Sequence, residues 1–477
     1  MKAVLKTLQT DACRIREVTE NESDLFSNLT NLQRYFPAMD LFPSSDQGKS
    51  PLQELPSTYY ISEWKSEDDV PKCYQAIRKS ILHSNLEPCR VFAKTIHLLN
   101  PMDYMKEHYL SPTHPLLPHS NPSWKSTVLK LHSRNNQAYV DAVANFVMSR
   151  FRELDLTPHC ILYYGSYTAI AKKYKYNISG EYDTYRQCKW FWNGMKKHNA
   201  RLTLSHENEN IRDHTRYHEF YKEITECPFT VDELNNPFDV DEVDDLSSES
   251  SIDEFLQSLD EVDMNEVDDI SDEVVSIKDE IQEEAIIECV EELSIEEVTE
   301  EESDTSDNSS DTSDGDEDSD SLCLDIDVCL EMENMPVITI LQEAQEGVMD
   351  DLVMDDEVDG CEAGSDAWEG RWIAWLFQVI ATLTFLQSTI QFTHNDLHSN
   401  NILWRSTERR FLYYRTKSGK VWRVPTFGKI FSIIDFGRAI FRLGSHSWIS
   451  DDHWPDQDAG DQYNFGPFYD SSKPKVV

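Results

Sequence analysis

The sequence predicts an α+β fold of two lobes, interrupted by a long acidic insertion and ending in an incomplete second lobe. Three observations predict it. Short apolar runs and one stretch of helical periodicity fill the N-terminal half. A tract at 229–334 then carries 42 Asp and Glu against one basic residue, Lys278. Beyond it, a long apolar helix leads into two short polar loops, 393–401 and 433–437, the most specific wording in the 477 residues. The expected segments are an extension at 1–55, a first lobe at 56–228, the acidic insertion at 229–334, and a hinge with a partial second lobe at 335–477.

Taken in order, Tyr59-Tyr60-Ile61 and Val91-Phe92-Ala93-Lys94 are short apolar runs of strand type. Over 135–154, Tyr139, Val143, Phe146, Val147, Phe151 and Leu154 recur at helical spacing, with Ser133 and Asn135 as cap candidates. Cys160–Tyr164 and Tyr167–Ile170 predict two strands around a Gly165-Ser166 turn. The acidic tract opposes its own compaction, so it is expected to lack order. Its pieces Ile252–Leu259 and Ile281–Leu293 are amphipathic enough to fold on a partner. Order is expected to return at the strand Pro336–Leu341, followed by a helix from about Ala367 to Ile390. Trp372, Trp375, Leu376, Val379, Ile380, Leu383 and Leu386 predict its broad buried face. After the loop 393–401 come a strand at Ile402–Trp404 and a hairpin. In that hairpin Phe411–Tyr414 and Val421–Val424 flank a Lys417-Ser418-Gly419-Lys420 turn. The strand Phe431–Ile434 delivers Asp435.

The formal net charge of -45 is local. The acidic tract alone is -41, which leaves the other residues near neutral and gives no large basic surface for nucleic acid. The ten cysteines form no Cys-x-x-Cys and do not cluster with histidines at ligand spacing. That argues against zinc and against a disulfide framework, and predicts an intracellular home. The sequence is read as having no apolar run that approaches the length of a bilayer span, so no membrane partner is predicted. The Ser-rich acidic stretches suit a basic protein partner, or phosphorylation by acid-directed kinases.

The two polar loops carry the chemistry. The first reads Thr393-His394-Asn395-Asp396-Leu397-His398-Ser399-Asn400-Asn401, and the second Ile433-Ile434-Asp435-Phe436-Gly437. Phosphoryl transfer from ATP needs a carboxylate to orient the attacking hydroxyl and metal ions to neutralise the phosphates. Asp396 has the position of that carboxylate. Asn401 and Asp435 supply the neutral and the charged oxygen that Mg²⁺ accepts beside phosphate and water. His398, two residues after Asp396, is a candidate donor to the transferred phosphate. His394 is expected to brace the loop. Lys94, in Val-Phe-Ala-Lys, is the candidate strand lysine for the nucleotide's phosphates. Its acidic partner is sought at Asp141 or Glu153, with Asp141 preferred.

On these loops, on Val424–Phe431 running into Ile434–Ala439, and on Tyr163–Tyr167 and Gln462–Phe465, the chain resembles the serine/threonine protein kinases of large nucleocytoplasmic DNA viruses, the iridovirus- and marseillevirus-like group. The resemblance covers roughly 88–205 and 335–477. It implies a two-lobed kinase-like fold, ATP and Mg²⁺, a protein substrate, and a host-cytoplasm or virion location. It also implies a hinge near Gln342–Ala344, with Gln342 and Ala344 against the nucleotide. Three departures accompany it. Gly48 is the only glycine before Gly165, so no glycine-rich loop precedes Lys94. Asn395 stands where many protein kinases have Arg. Only 42 residues follow Asp435, too few for the remaining helices of a second lobe. Two alternatives are carried forward. One is a non-catalytic scaffold whose acidic tract binds partners. The other is a small-molecule kinase of the aminoglycoside/choline phosphotransferase type, whose loop also favours Asp-Leu-His.

Overall fold

The computed structural model describes residues 27–42, 55, 57–67, 72–81, 85–109, 125–206, 221–222, 224–230, 234, 326–355, 357–358, 360–415 and 419–453. The chain divides into two compact units. One comprises Met1–Thr203, Thr225–Asp241 and Cys329–Val477, and the other Leu204–Ile224 and Glu242–Val328. Nearly all of the second unit, including both amphipathic pieces of the acidic tract, lies outside the described residues, as does the Gln462–Phe465 motif.

The strands of the first half are β1 (Leu29–Gln33), β2 (Tyr59–Glu67), β3 (Cys73–Ser80), β4 (Leu86–His97), β5 (Tyr163–Asn177) and β6 (Arg201–His206). Its helices are α1 (Pro101–Met105), α2 (Lys125–His132), α3 (Gln137–Glu153), α4 (Tyr182–Tyr185) and α5 (Lys189–Lys197). The second half adds β7 (Ile326–Glu343), β8 (Gly347–Val348), α6 (Met349–Met354), β9 (Glu357–Val358), β10 (Cys361–Glu362) and α7 (Asp366–Ile390). It ends in β11 (Ile402–Ser406), β12 (Phe411–Arg415), β13 (Val421–Pro425), β14 (Lys429–Ile433), β15 (Ile440–Leu443) and β16 (His446–Ile449).

The fold is mixed α and β around a seven-stranded sheet in the order β1-β5-β7-β4-β3-β2, with β6 against β7. The pairs from β1/β5 through β2/β3 are antiparallel. β7 is its centre, and Lys94 of β4 pairs with Ile340 of β7, which pairs in turn with Ser166 of β5. Sequentially distant strands are thereby neighbours, so 335–477 and all of 56–228 except 204–224 belong to one compact unit. A single apolar core unites them: Val143, Phe146 and Val147 of α3, Ile338 and Ile340 of β7, Trp375 and Leu386 of α7, and Phe431 of β14.

Several elements differ from the sequence expectation. Cys160–Ile170 does not make two strands about a turn. Gly165 sits inside β5 at φ +144 as a bulge, where the pairing to β7 skips a residue after Tyr163. A glycine absorbs such a bulge without ending the strand. β7 begins at Ile326 rather than Pro336, because Val328, Cys329, Leu330 and Met332 are buried at the end of the acidic tract. The cap of α3 is Asn136, whose Oδ1 accepts from the Ala138 amide at 3.1 Å while its Nδ2 donates to the Leu98 carbonyl. Leu154 lies beyond the helix and is exposed. α7 starts one residue early, capped by Ser365, and its buried face is narrower than expected. Trp375, Gln378, Val379, Thr382 and Leu386 face inward, whereas Leu376 and Ile380 are 46% and 61% exposed. At 100° per residue these two lie past Val379 at the edge of the face, on the side away from Trp375, Gln378, Thr382 and Leu386. By length and composition α7 is also apolar enough to cross a membrane, contrary to the expectation that no run was.

The turn from α3 into β5 carries a buried histidine. His159 Nδ1 donates to the Phe431 carbonyl at 2.8 Å, and its Nε2 accepts from the Tyr414 hydroxyl at 2.8 Å. Burial lowers its pKa to about 4. An unfolded histidine binds its proton near pH 6.5. Between these values the unfolded chain holds the extra proton, so stability is intact above about pH 6.5 and falls as pH drops toward 4. We expect urea unfolding to show this loss, and His159→Gln, which cannot titrate, to reduce its slope. An equal slope in the variant would contradict the assignment.

Candidate functional site

The site is assembled from β4, α3 and the two loops. Lys94 projects from the middle of β4. Its Nζ lies 2.8 Å from Asp141 Oδ2 on α3 and 2.9 Å from Asp435 Oδ1 in the second loop. Asp141 is fully buried, and its Oδ1 accepts the Phe436 amide at 2.8 Å and Asn145 Nδ2 at 3.0 Å. Of the two sequence candidates, the fold brings Asp141 to Lys94. Glu153 instead pairs with Arg150 and accepts from Ser149.

Burial disfavours the Lys94 ammonium, but Asp141 and Asp435 together outweigh it and hold its pKa well above the ordinary range. The Lys94 charge draws the Asp435 carboxyl below its usual value. Burial pushes the Asp141 carboxyl up against the pull of the same lysine. Lys94 is therefore a fixed cation across the physiological range.

The first loop is braced from within. His394, buried, donates from Nε2 to the Ile434 carbonyl at 2.8 Å and accepts the Asp396 amide on Nδ1 at 3.3 Å. Burial lowers its pKa, which keeps it in the neutral form these bonds require. Asn401 is buried, donating from Nδ2 to the Asp396 carbonyl at 2.9 Å and to His398 Nε2 at 3.0 Å. The structure thus places His398 in the loop's internal network, with Nε2 as an acceptor. The Ile434 amide bonds the Asn401 carbonyl at 3.0 Å, and Thr393 bridges Ile440. The two loops therefore lie side by side, at the ends of the paired strands β11 and β14.

Asn395 and Asp435 both take left-handed backbone conformations, each with φ +64. Such positions cost about 1 kcal/mol or more for residues other than glycine and persist where surrounding bonds dictate them. Asn395 Nδ2 donates to the Arg438 carbonyl at 3.0 Å, and Asp435 is held by Lys94.

Residues that the sequence reading did not single out complete the site. Arg438 Nη1 lies 3.3 Å from Asp396 Oδ1, and its Nε donates to Asp452 Oδ2 at 2.7 Å. Asp451, buried beside it, accepts Lys130 Nζ at 2.7 Å and the Gln137 amide at 2.9 Å. It therefore occupies the N-terminus of α3, where a carboxylate suits the helix dipole. At the other end of α3, Arg152 Nη2 donates to Glu343 Oε1 at 3.0 Å. Arg438 could have been found as the residue after Phe436-Gly437. Ser450-Asp451-Asp452-His453 carried no signal, because such a run reads as an exposed acidic turn.

The residues expected at the nucleotide's base sit at the end of β7. Gln342 pairs with Phe92 and Tyr163, with its side chain buried. The Ala344 amide donates to the Arg90 carbonyl at 3.0 Å. Gln342 and Ala344 are thus in the sheet's own bonding.

The donor set fits Mg²⁺ as partner to a phosphate group. Asn401 spends Nδ2 on the loop, which leaves its oxygen as the coordinating atom, and Asp435 adds one carboxylate. Among the described residues no group of three or more His, Cys, Asp and Glu forms a metal cage. One amide and one carboxylate match an ion that takes most of its ligands from phosphate and water. No protein-family model matches the chain, and no curated protein is similar to it.

Two expectations follow. Lys94→Met leaves Asp141 buried without its counter-charge, which costs about 3 kcal/mol or more. Adding Asp141→Asn recovers part of that loss in a double-mutant cycle by urea unfolding, and strictly additive losses would contradict the pairing. Asp451→Ala removes the partner of Lys130 and the acceptor at α3. Its unfolding midpoint falls, by about 2–4 kcal/mol in equivalent stability, and an unchanged midpoint would show that this contact is idle.

Proposed function

We propose that the chain is an ATP-dependent protein serine/threonine phosphotransferase of the viral type it resembles, with a two-lobed kinase-like architecture. In this reading the large sheet with α3 is the first lobe, and α7 with β11 and β14 opens the second. The observation that carries it is the Lys94–Asp141–Asp435 cluster. A strand lysine, a helix carboxylate and the loop aspartate, far apart in sequence, meet within 2.9 Å, with Asp396 on the adjoining loop.

Asp396 takes the proton of the acceptor hydroxyl as its oxygen bonds to the terminal phosphorus and the bond to ADP breaks. Arg438 orients the Asp396 carboxylate from one side. Lys94, kept charged by two carboxylates, holds phosphate oxygens. Asn401 and Asp435 would hold Mg²⁺, which supplies charge neutralisation on the phosphates. His398 steadies Asn401 through its Nε2.

A second reading, a module that binds partners or nucleotide without transfer, is favoured by one observation. The Ala344 amide, expected to face the nucleotide's base, is engaged by Arg90. The absence of glycine near the β2–β3 turn points the same way.

Radiolabel transfer from ATP to a generic protein acceptor, with Mg²⁺, tests the enzyme reading. Wild type should incorporate label and Asp396→Ala should lose at least about a hundredfold, in line with loss of a general base. Equal incorporation would sink it. ATP with Mg²⁺ should also raise the unfolding temperature. A shift without transfer would select the non-catalytic reading.

A further inference from the structure

Between β11 and β14 the chain leaves the site to form the β12–β13 ribbon. Seven of the chain's 43 basic residues fall within 405–425, with one of its 88 acids, Glu408. The ribbon therefore inverts the sign of the chain as a whole.

Its register sorts the side chains onto two faces. Leu412 opposite Val424 is buried, and Tyr414 on the same face stacks on His159 at 5.8 Å. On the other face Phe411, Tyr413, Arg415, Val421 and Arg423 are all exposed, Tyr413 by 44%. Rings and cations interleave. On this face the Arg423 guanidinium lies 4.6 Å over the Phe411 ring, whereas Trp422, opposite Tyr414, belongs to the inner face and carries Lys420 Nζ at its half-exposed ring. Arg409 and Arg410 extend the exposed basic run at the start of β12.

Single-stranded nucleic acid calls for this combination: cations for successive phosphates and ring faces for the bases between them. An acidic peptide would engage the cations and leave the rings idle. We propose that the outer face of the β12–β13 ribbon binds single-stranded nucleic acid without sequence preference. The near-neutral balance outside the acidic tract argued against such a partner, but a balance summed over several hundred residues does not register one local basic face. The surface is separate from the phosphotransfer site. β11 and β14 pair from Ile402–Ile433 beside the loops to Ser406–Lys429, so the ribbon starts roughly 13 Å along the pair at 3.4 Å per residue.

Fluorescence anisotropy of labelled oligo(dT) and oligo(U) with the full chain tests this. Binding should appear at low salt and weaken about tenfold or more as salt is raised. Arg409→Glu with Arg415→Glu should weaken it at least about tenfold and flatten the salt dependence. Tyr413→Ala, exposed and therefore tolerated by the fold, should weaken it about fivefold. No binding at low salt would overturn the proposal. So would binding that Tyr413→Ala and Phe411→Ala leave unchanged while poly-glutamate displaces it charge for charge, the signature of an acidic-peptide surface.

Discussion

The buried ion pair of Lys94 with Asp141 is the constraint on which the rest of the site depends. A carboxylate with no solvent exposure persists only if its charge and lone pairs are matched. Lys94, the Phe436 amide and Asn145 provide that match from β4, from the second loop and from α3 itself. Because these three belong to different parts of the chain, satisfying one carboxylate fixes their mutual positions. α3 cannot slide without stranding Asp141. Both of its ends are tied as well, to Asp451 at the N-terminus and to Glu343 through Arg152 at the C-terminus.

The same logic explains how two loops with unfavourable backbone angles stay in place. Asn395 is held by the Arg438 carbonyl of the segment 434–453, and Asp435 by Lys94 of β4. That segment serves two purposes at once. Arg438 orients Asp396, while Asp451 next to its anchor Asp452 holds α3. The proposed base and the lysine's acidic partner are therefore coupled through one short stretch of chain.

The candidate site residues were more legible in the sequence than the residues that support them. Asp396 and Asn401 stand out because one short loop sets their spacing, and Asp435 because it opens Asp-Phe-Gly at the end of an apolar strand. Lys94 and Asp141 were readable because a strand lysine and a helix carboxylate are few in number and their elements were periodic. The supports were not readable, because burial of polar groups leaves no periodic trace. Asp451 and Asp452 look like solvated acids, and Lys130 like a surface lysine, until the fold closes on them. Strand limits failed for a related reason. β7 extends into the acidic tract because Cys329, Leu330 and Met332 are buried, a short apolar stretch hidden among Asp325, Asp327, Glu331 and Glu333. The exposed Leu376 and Ile380 show the opposite error, since apolar residues on a helix need not all share one buried face.

Amide hydrogen exchange on the protein alone tests the central claim most directly. If the Lys94–Asp141 pair holds α3 and the second loop together, the Phe436 amide and the α3 amides from Tyr139 to Asn145 exchange as slowly as those of β7. Rapid exchange at Phe436 and in the first turns of α3, with β7 still protected, would show that the cluster is not formed in the free protein and would contradict the account.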